Sequence, residues 1–480
     1  MKNDKKYFWN NLKSFSNQNA LIDTTSNKSI TSTELDKESQ ILAEKLNLSV
    51  KGLIFLFTTN NTESVITYIA SLKSGNAVLL LDEKLNDEIR NGLIKNYNPD
   101  YIISSNKIVP EQYSLSFNYK SLNFLKKTNN NSIIIFSDLA VLLSTSGTTG
   151  SPKLVRLSYK NIQSNAESIS EYLNIDETER PITTLPINYS YGLSVINSHL
   201  LKGAAIVLSE KTVFFRDFWD QFNEFKCTSF AGVPYTYTML KRINFNKIDL
   251  PTLKYFTQAG GKLSEEFIRH FNKYAIEKSV KFFVMYGQTE AAPRISYVPA
   301  EKLSEKVGSI GISIPGGELK IMKEGKEVIT PDEVGEIVYK GDNVMLGYAE
   351  TRTDLSEGDE LNGILFTGDL GYKDADGYFY VRGRMKRFIK IFGLRINLDE
   401  VQKMIENHFQ ISAACTGSDE FLKILVQSDD HKTEVKVKEE VMRMYKLNFK
   451  SLVVKTTTQI PTNSSGKFDY KKINEMFESE

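Results

Sequence analysis

Cysteine, histidine and net charge are all scarce in this sequence. Its 480 residues include two cysteines, Cys227 and Cys415, far apart and outside any CxxC pair. That argues against a disulfide scaffold, an iron–sulfur site or a zinc ribbon, and it suits a reducing compartment, so a cytoplasmic protein is expected. The four histidines, His199, His270, His408 and His431, sit at no metal-ligand spacing from one another, which argues against a histidine-built metal centre. Lys plus Arg number 60 against 59 for Asp plus Glu, a formal charge of +1. Such balance gives no global attraction for nucleic acid or anionic membrane, and neither is expected as a partner. The longest apolar runs, such as Ala77 to Leu81, are strand-sized and cannot span a bilayer. The start, MKNDKKYFWNNLKSF, is basic and lacks the apolar stretch of a secretory leader.

What is present is the balance of a globular protein, with 41% hydrophobic and 25% charged residues, and at this length more than one domain is expected. The early chain reads as alternating strands and helices. Leu53 to Phe57 is a continuous apolar run, as a strand covered on both faces requires. Val65, Ile66, Ile69 and Leu72 then recur at helical spacing, Gly75 ends that helix, and Ala77 to Leu81 supplies the next strand. An earlier helix is expected over 33–46, with Leu35, Leu42 and Leu46 on one side. Further strands are expected at Ile133 to Phe136, Ala140 to Leu143, Ala204 to Leu208 and Lys281 to Met285, with a helix after Ser158. This alternation predicts an α/β architecture with a largely parallel sheet.

After about Gly308 the style changes to short alternating strands such as Glu318 to Met322 and Gly335 to Tyr339, punctuated by Gly, Asp and Glu. From Met385 a compact α+β segment follows, with a helix near Asp399 to Asn407 and a strand at Ile424 to Gln427. The expected organisation is a large N-terminal domain, residues 1–385, of layered α/β subdomains with a β-rich subdomain. A small mobile α+β C-terminal domain, residues 386–480, completes it.

The stretch Leu142 to Lys153, LLSTSGTTGSPK, stands out. A buried strand runs straight into Thr145, Ser146, Gly147, Thr148, Thr149, Gly150 and Lys153. Glycines let backbone N–H groups point into one concavity, hydroxyls add donors and the lysine adds charge, which together make a phosphate cradle. The spacing of Gly147 and Lys153, with Pro152 before the lysine, is not that of a Walker A loop. The bland reading, a surface turn rich in Ser, Thr and Gly, seldom places so many donors directly after a buried strand.

STSGTTGSPK resembles the phosphate loop of the adenylate-forming superfamily, which comprises acyl-CoA synthetases, non-ribosomal peptide adenylation domains and luciferases. Further segments resemble that family's motifs in the same order: LPINYSYGL (Leu185 to Leu193), AGGK (Ala259 to Lys262), MYGQTEA (Met285 to Ala291), TGDLGY (Thr367 to Tyr372), GRMKRFIKIFGLRINLDEV (Gly383 to Val401) and PTNSSGK (Pro461 to Lys467). The resemblance spans almost the whole chain. It implies ATP and Mg²⁺, a small-molecule carboxylic acid, formation of an acyl-adenylate with release of pyrophosphate, and transfer of the acyl group to a thiol. The implied acceptor is coenzyme A or the phosphopantetheine of an acyl carrier protein. No carrier domain follows Lys467 here, so the acceptor is expected in trans.

The resemblance also implies roles for single residues. Carboxylate attack on an α-phosphorus brings negative charges together, so donors and cations must converge. The Thr289 hydroxyl would donate to the α-phosphate while the Glu290 carboxylate holds Mg²⁺ on phosphate oxygens. Tyr286 would stack on adenine beside the turn at Gly260 and Gly261. Asp369, expected at a strand end, would accept from both ribose hydroxyls, and Arg384 would reach ribose or phosphates. Lys467 would neutralise charge developing between carboxylate and α-phosphate. Lys386 stands where the family commonly has an aspartate hinge and would be the pivot between half-reactions. The loop from Gly393 to Arg395 would then open the thiol path. Arg384, Lys386, Arg387, Lys390 and Arg395 form a basic cluster, as compatible with a solvated strand face as with phosphate contact.

The acid is less legible. Relatives that take amino acids carry an aspartate in the aromatic motif for the ammonium, and Ser190 stands in its place, which favours a simple acyl or aryl acid. Tyr189, Ser190, Gly192, Gly260, Ala292, Pro293 and Arg294 are expected pocket neighbours. A buried Arg294 could pair with a second carboxylate or a hydroxyl-rich group on the substrate, although an internal salt bridge is the commoner use of such a residue. Two rival readings stay open. One is a stand-alone amino-acid ligase of the kind that loads D-alanine on a carrier protein; the other is a non-catalytic nucleotide-binding protein. Against the latter, Lys153, Thr289, Glu290, Asp369, Arg384 and Lys467 are all present.

Overall fold

The computed structural model describes residues 7–106, 109–129, 133–144, 153–384, 388–391, 394–418, 421–445, 447–463 and 467–478. The chain divides into two compact units, Met1–Glu318 with Tyr339–Leu365, and Leu319–Val338 with Phe366–Glu480.

Two large sheets organise the first unit. In one, the strands Tyr101–Ser104, Leu53–Thr58, Ala77–Asp82 and Leu139–Ser144 lie side by side and parallel. Leu53–Thr58 is buried at every position, which is why its sequence is an unbroken apolar run rather than an alternating one. Leu154–Ser158 and Gly347–Ala349 extend this sheet antiparallel at one edge, and Leu122–Lys127 with Tyr113–Tyr119 do so at the other. The second sheet has a parallel centre of Asn19–Asp23, Ile206–Leu208, Pro181–Ile182, Ser229–Gly232, Tyr255–Gln258 and Lys281–Gly287. Arg294–Val298 and Ile312–Ser313 continue it antiparallel.

Helices fill the space between the sheets. Thr62–Lys73 buries Val65, Ile66, Ile69 and Leu72 and nearly every residue between them, the mark of an internal helix. With Ser190–Leu201 it joins one apolar core that takes Leu21 and Ile206 from one sheet and Ile54, Leu56 and Val141 from the other. The helix starts are written in the sequence. Thr31 and Glu34 form a capping box for Ser32–Lys45, Asn61 caps Thr62–Lys73, and Ser158 caps Tyr159–Tyr172. Among the described residues no helix is long and apolar enough to cross a membrane.

In the second unit a five-stranded sheet is ordered Lys326–Glu327, Gly317–Lys323, Gly335–Gly341, Ile364–Lys373, Phe379–Arg384. A hairpin, Phe388–Ile391 with Leu394–Asn397, leads into the helix Leu398–Phe409. Ala413–Gly417, Leu422–Gln427 and Leu452–Thr457 form a three-stranded sheet, whose parallel pair is connected through the helix Lys432–Tyr445. Ile396, Val401, Ile405, Ile424, Val437 and Val454 make the core of this part.

Two sequence expectations are corrected. Ile133 to Phe136 is not a strand: Ile134 is 76% exposed, and the backbone bonds of Phe136 are a loop contact to the Leu355 carbonyl and a turn bond from the Leu139 N–H, not a ladder. Its apolar content anchors Ile135 instead, and the ladder begins at Leu139. Asp369 lies within the ten-residue strand Ile364–Lys373 and not at its end.

Candidate active site

The first unit builds its polar centre around one tight reversal. The strand Lys281–Gly287 ends at Gly287, where a Cβ would fall 1.7 Å from the Pro293 carbonyl oxygen, so only glycine allows the close return of the chain. Thr289–Ala291 forms a single helical turn, and Arg294–Val298 runs back antiparallel, with Gly287 opposite Arg294. Asn343 ties the reversal together: its Nδ2 donates to the carbonyls of Ala291 at 2.6 Å and Arg294 at 2.7 Å. The Met345 N–H donates to the Glu290 carbonyl at 2.9 Å.

This places Thr289 and Glu290 at the end of a parallel strand with defined neighbours. Thr289 Oγ1 is 3.1 Å from Ser190 Oγ, at the start of the helix Ser190–Leu201. The Tyr348 hydroxyl donates to Glu290 Oε1 at 2.9 Å. Burial, together with the Glu290 charge, holds that phenol well above its ordinary pKa, so it remains a donor. Lys153 Nζ lies 4.1 Å from the centre of the Tyr348 ring, a cation–π contact. Tyr348 therefore joins the lysine that follows the phosphate-loop segment to the carboxylate of the reversal. Its own strand is pinned by Arg156, whose Nε donates to the Tyr348 carbonyl at 3.0 Å while Nη2 meets the Glu360 carboxylate. Sequence reading missed Tyr348 because only strand pairing brings it here, Tyr348 standing opposite Val155.

The residues expected beside adenine are Gly260, Gly261 and Tyr286. Gly260 has φ +82°, and a Cβ there would come 2.7 Å from the Tyr189 hydroxyl. Tyr286 accepts a hydrogen bond at 3.2 Å from Gln288 Nε2. Gly261 is exposed, next to the Pro234 ring. Gly192 is buried against the Pro186 carbonyl, and Ala292 takes a left-handed conformation with φ 57°.

A small internal cavity of about 20 Å³ opens behind this centre, roughly the room of one water. Tyr191, His199, Tyr255, Thr257, Met285 and Arg294 are among its walls; Tyr189, Ser190, Gly192 and Ala292 are not. Tyr191 Oη lies 2.7 Å from Thr257 Oγ1. His199 Nδ1 lies 2.7 Å from the Val195 carbonyl and must donate to it, which leaves Nε2 to accept from the Tyr255 hydroxyl at 3.1 Å. Burial pushes the His199 imidazole down to about 4, so it is neutral.

Arg294 is 3% exposed, with its guanidinium 4.0 Å from the centre of the Tyr191 ring. Its Nε has no hydrogen-bond partner, and among the described residues no carboxylate is within ion-pair distance of it. The internal salt bridge that its residue type suggested is not found among the described residues. Burial raises the Tyr189 phenol to about 12 despite the opposing pull of the Arg294 charge, and Tyr191 is raised in the same way.

Within the second unit, Asp369 stands opposite Arg384 in the antiparallel pair, with Oδ1 3.2 Å from Nε. Asp369 is buried while the Arg384 side chain is exposed, so water screens the pair. The Asp369 N–H donates to Thr367 Oγ1 at 3.1 Å, and the Arg384 N–H donates to Asp399 Oδ2 at 2.9 Å. Lys467 closes a small loop: its N–H donates to Asn463 Oδ1 at 3.0 Å, and its carbonyl accepts from the Asn463 N–H at 2.8 Å. Thr145, Ser146, Gly147, Thr148, Thr149, Gly150, Lys386 and Gly393 lie outside the described residues.

The donor set suits magnesium held mainly by substrate. Among the described residues no three His, Cys, Asp or Glu side chains gather as a metal cage. Glu290 offers one carboxylate, with Oε1 engaged by the Tyr348 hydroxyl. A single carboxylate is what Mg²⁺ requires when phosphates and water complete its shell.

The sequence matches the family described as AMP-binding enzyme over residues 8–349. It is 27% identical over 474 residues to the 2-succinylbenzoate–CoA ligase of Bacillus velezensis, covering 95% of this chain and 94% of that one. It is 31% identical over 316 residues to the probable 4-coumarate–CoA ligase 2 of Dictyostelium discoideum, covering 63% of this chain and 57% of the relative. The o-succinylbenzoate coenzyme A synthetase of Bacillus subtilis, solved with ATP and magnesium ion, shares the fold with a TM-score of 0.76. That likeness has 24% identity and covers 98% of this chain and 99% of the other. With motifs, reversal and fold in agreement, the chain belongs to the AMP-binding enzyme family of adenylate-forming ligases.

Proposed function

We propose that this protein is an AMP-forming acid–thiol ligase that uses ATP to convert a carboxylic acid into an acyl-adenylate, releases pyrophosphate, and passes the acyl group to coenzyme A. The observation that carries the reading is the cluster of Thr289, Glu290, Tyr348 and Lys153 at the end of a parallel strand, the place where open α/β sheets bind ligands. The Thr289 hydroxyl donates to the α-phosphate, and Lys153 brings positive charge to the phosphates. Tyr348 holds the Glu290 carboxylate for magnesium, which when bound screens the phosphate oxygens. Asp369 takes the ribose hydroxyls, with Arg384 beside it, and Lys467 supplies the cation that screens charge as carboxylate oxygen meets phosphorus. Lys386 is the pivot between the half-reactions.

Coenzyme A is favoured over a carrier protein because the curated relatives above are named as CoA ligases. An amino acid is disfavoured on physical grounds. Ser190 is engaged with Thr289 and offers no charge to an ammonium, and the cavity wall carries a buried cation that would repel one.

Pyrophosphate release with ATP, Mg²⁺ and a panel of acids tests this reading. The panel spans fatty, aryl, hydroxy, dicarboxylic and amino acids. Release with one acid class, lost in Lys467→Ala, is expected. ATP binding by calorimetry with no release from any acid would favour a protein that binds nucleotide without turning it over.

A further inference from the structure

Among the described residues the buried Arg294 guanidinium has no counter-ion. A guanidinium keeps its proton inside proteins, so Arg294 cannot relieve the cost of burial by becoming neutral as lysine or histidine can. The protein's own compensation is partial. The Tyr191 ring lies against one face at 4.0 Å and the Tyr172 hydroxyl interacts with the guanidinium, while Nε meets no acceptor. Native proteins rarely leave a buried charge in this state unless something that binds completes it.

Among the described residues no titratable group beside Arg294 supplies the missing anion, and Glu179, whose charge reaches the cavity-lining Tyr255, is already held by Lys254 at 2.8 Å. His199 is neutral, with both nitrogens engaged. Tyr172, Tyr189 and Tyr191 are all held in the phenol form by burial. Tyr191 and Thr257 satisfy each other. An anion must therefore arrive from outside, and the cavity that Arg294 lines is where it can be received.

Resting on the acid-activating reading above, we infer that the acid carries a second oxyanion, a distal carboxylate or its chemical equivalent, and that Arg294 receives it. The planar fork of a guanidinium matches a carboxylate with two parallel hydrogen bonds, and a site closed to water strengthens both. The acid is short. The cavity, which Met285, Tyr255 and His199 help to wall, has room for about one water-sized group, enough for a carboxylate oxygen and not for a long alkyl tail. Register supports a compact substrate as well. Arg294 stands opposite Gly287, two positions before Thr289, so the distal anion and the reacting carboxylate are both served by one strand reversal. The reacting carboxylate loses its charge on adenylation, whereas the distal group keeps its own through both half-reactions. A permanent buried cation is matched to the group that stays charged.

The test compares acids that differ only in the distal charge. Pyrophosphate release is measured for four- and five-carbon dicarboxylic acids and for their half-amides, which keep the shape and remove one charge. The wild type should prefer a diacid over its half-amide on the order of 100-fold in kcat/KM, the range expected for a buried charge pair. In Arg294→Gln that ratio should collapse to within a few-fold, and diacids, which should raise the melting temperature of the wild type, should no longer do so. Melting of the unliganded variant separates this role from a structural one. Removing an uncompensated buried charge should leave the free protein at least as stable as the wild type. A wild type that turns over monoacids as well as diacids would overturn the assignment, as would an Arg294→Gln protein that keeps the preference or melts lower. Absence of release with every acid would instead overturn the ligase reading, a result distinguishable from loss of the diacid preference alone.

Discussion

Tyr348 shows how one side chain can couple two charges of opposite sign. Its hydroxyl holds Glu290 while its ring carries Lys153. Replacing Tyr348 by Phe keeps the ring and removes only the donor. We expect kcat/KM for adenylate formation to fall about tenfold, the effect of one hydrogen bond to a charged group. The melting temperature should stay within about 2 °C, since the Arg156 bond is to the backbone. His199 supplies a second prediction at this scale. In the fold it stays neutral down to about pH 4, whereas in the unfolded chain it gains a proton near its ordinary value of 6.5. Its contribution is thus intact above pH 6.5, declines as pH falls through that window, and is fully lost below about 4. The total is about 3 kcal/mol. The difference in melting temperature between wild type and His199→Gln, followed from pH 8 to 4, should narrow or reverse with falling pH. A constant difference would contradict the assignment. Of the residues of the candidate site, Lys153, Thr289 and Glu290 could be named from the sequence because they stand in short motifs. Tyr348, His199 and Tyr255 could not, because only folding brings them to their partners.

At the scale of elements, the reversal from Gly287 to Arg294 is the most demanding piece of backbone in the site. A methyl group at Gly287 has no space beside the Pro293 carbonyl, and backbone cannot yield as a flexible side chain can. Gly287→Ala should cost about 3 kcal/mol or more, measured by urea unfolding, and should abolish adenylation together with the fold of the turn. Buried parallel strands such as Leu53–Thr58 and Ala77–Asp82 were readable from their unbroken apolar runs. The run at Ile133 to Phe136 looks the same in one dimension, yet a strand exists only where a ladder partner is waiting. The two-residue strand Pro181–Ile182 sits between Ser229–Gly232 and Ile206–Leu208, and it is too short to leave a periodic signal at all. The helix expected after Ser158 is present as Tyr159–Tyr172, and the structure shows the capping box at Ser158 that starts it.

At the scale of the whole molecule, the residues proposed to carry the chemistry are divided. Lys153, Thr289 and Glu290 belong to the first compact unit, and Asp369, Arg384 and Lys467 belong to the second. If the second unit serves the two half-reactions in turn, Lys467→Ala should abolish acyl-adenylate formation yet leave thioester formation from synthetic acyl-adenylate largely intact. Equal loss of both would contradict alternation. The α/β class and the family were legible because the motifs recur in order over nearly the full length. The acid was not, because its selectivity depends on what surrounds Arg294, and no motif encodes that a charge will lack a partner.

The first unit is completed late in the chain. The guanidinium of Arg156 meets the backbone of Tyr348 across 192 positions of sequence, and Asn343 reaches back to the reversal at Ala291 and Arg294. During synthesis, which proceeds from the N-terminus, the ribosome must pass Tyr348 before Glu290 has its hydroxyl partner or Arg156 its carbonyl. Until then the nascent protein holds an unfinished sheet edge at Leu154–Ser158, where a chaperone or another strand could pair. A fragment meant to isolate the nucleotide-binding unit would accordingly have to run through Leu365, because a cut at the first crossing, after Glu318, would leave that edge permanently open.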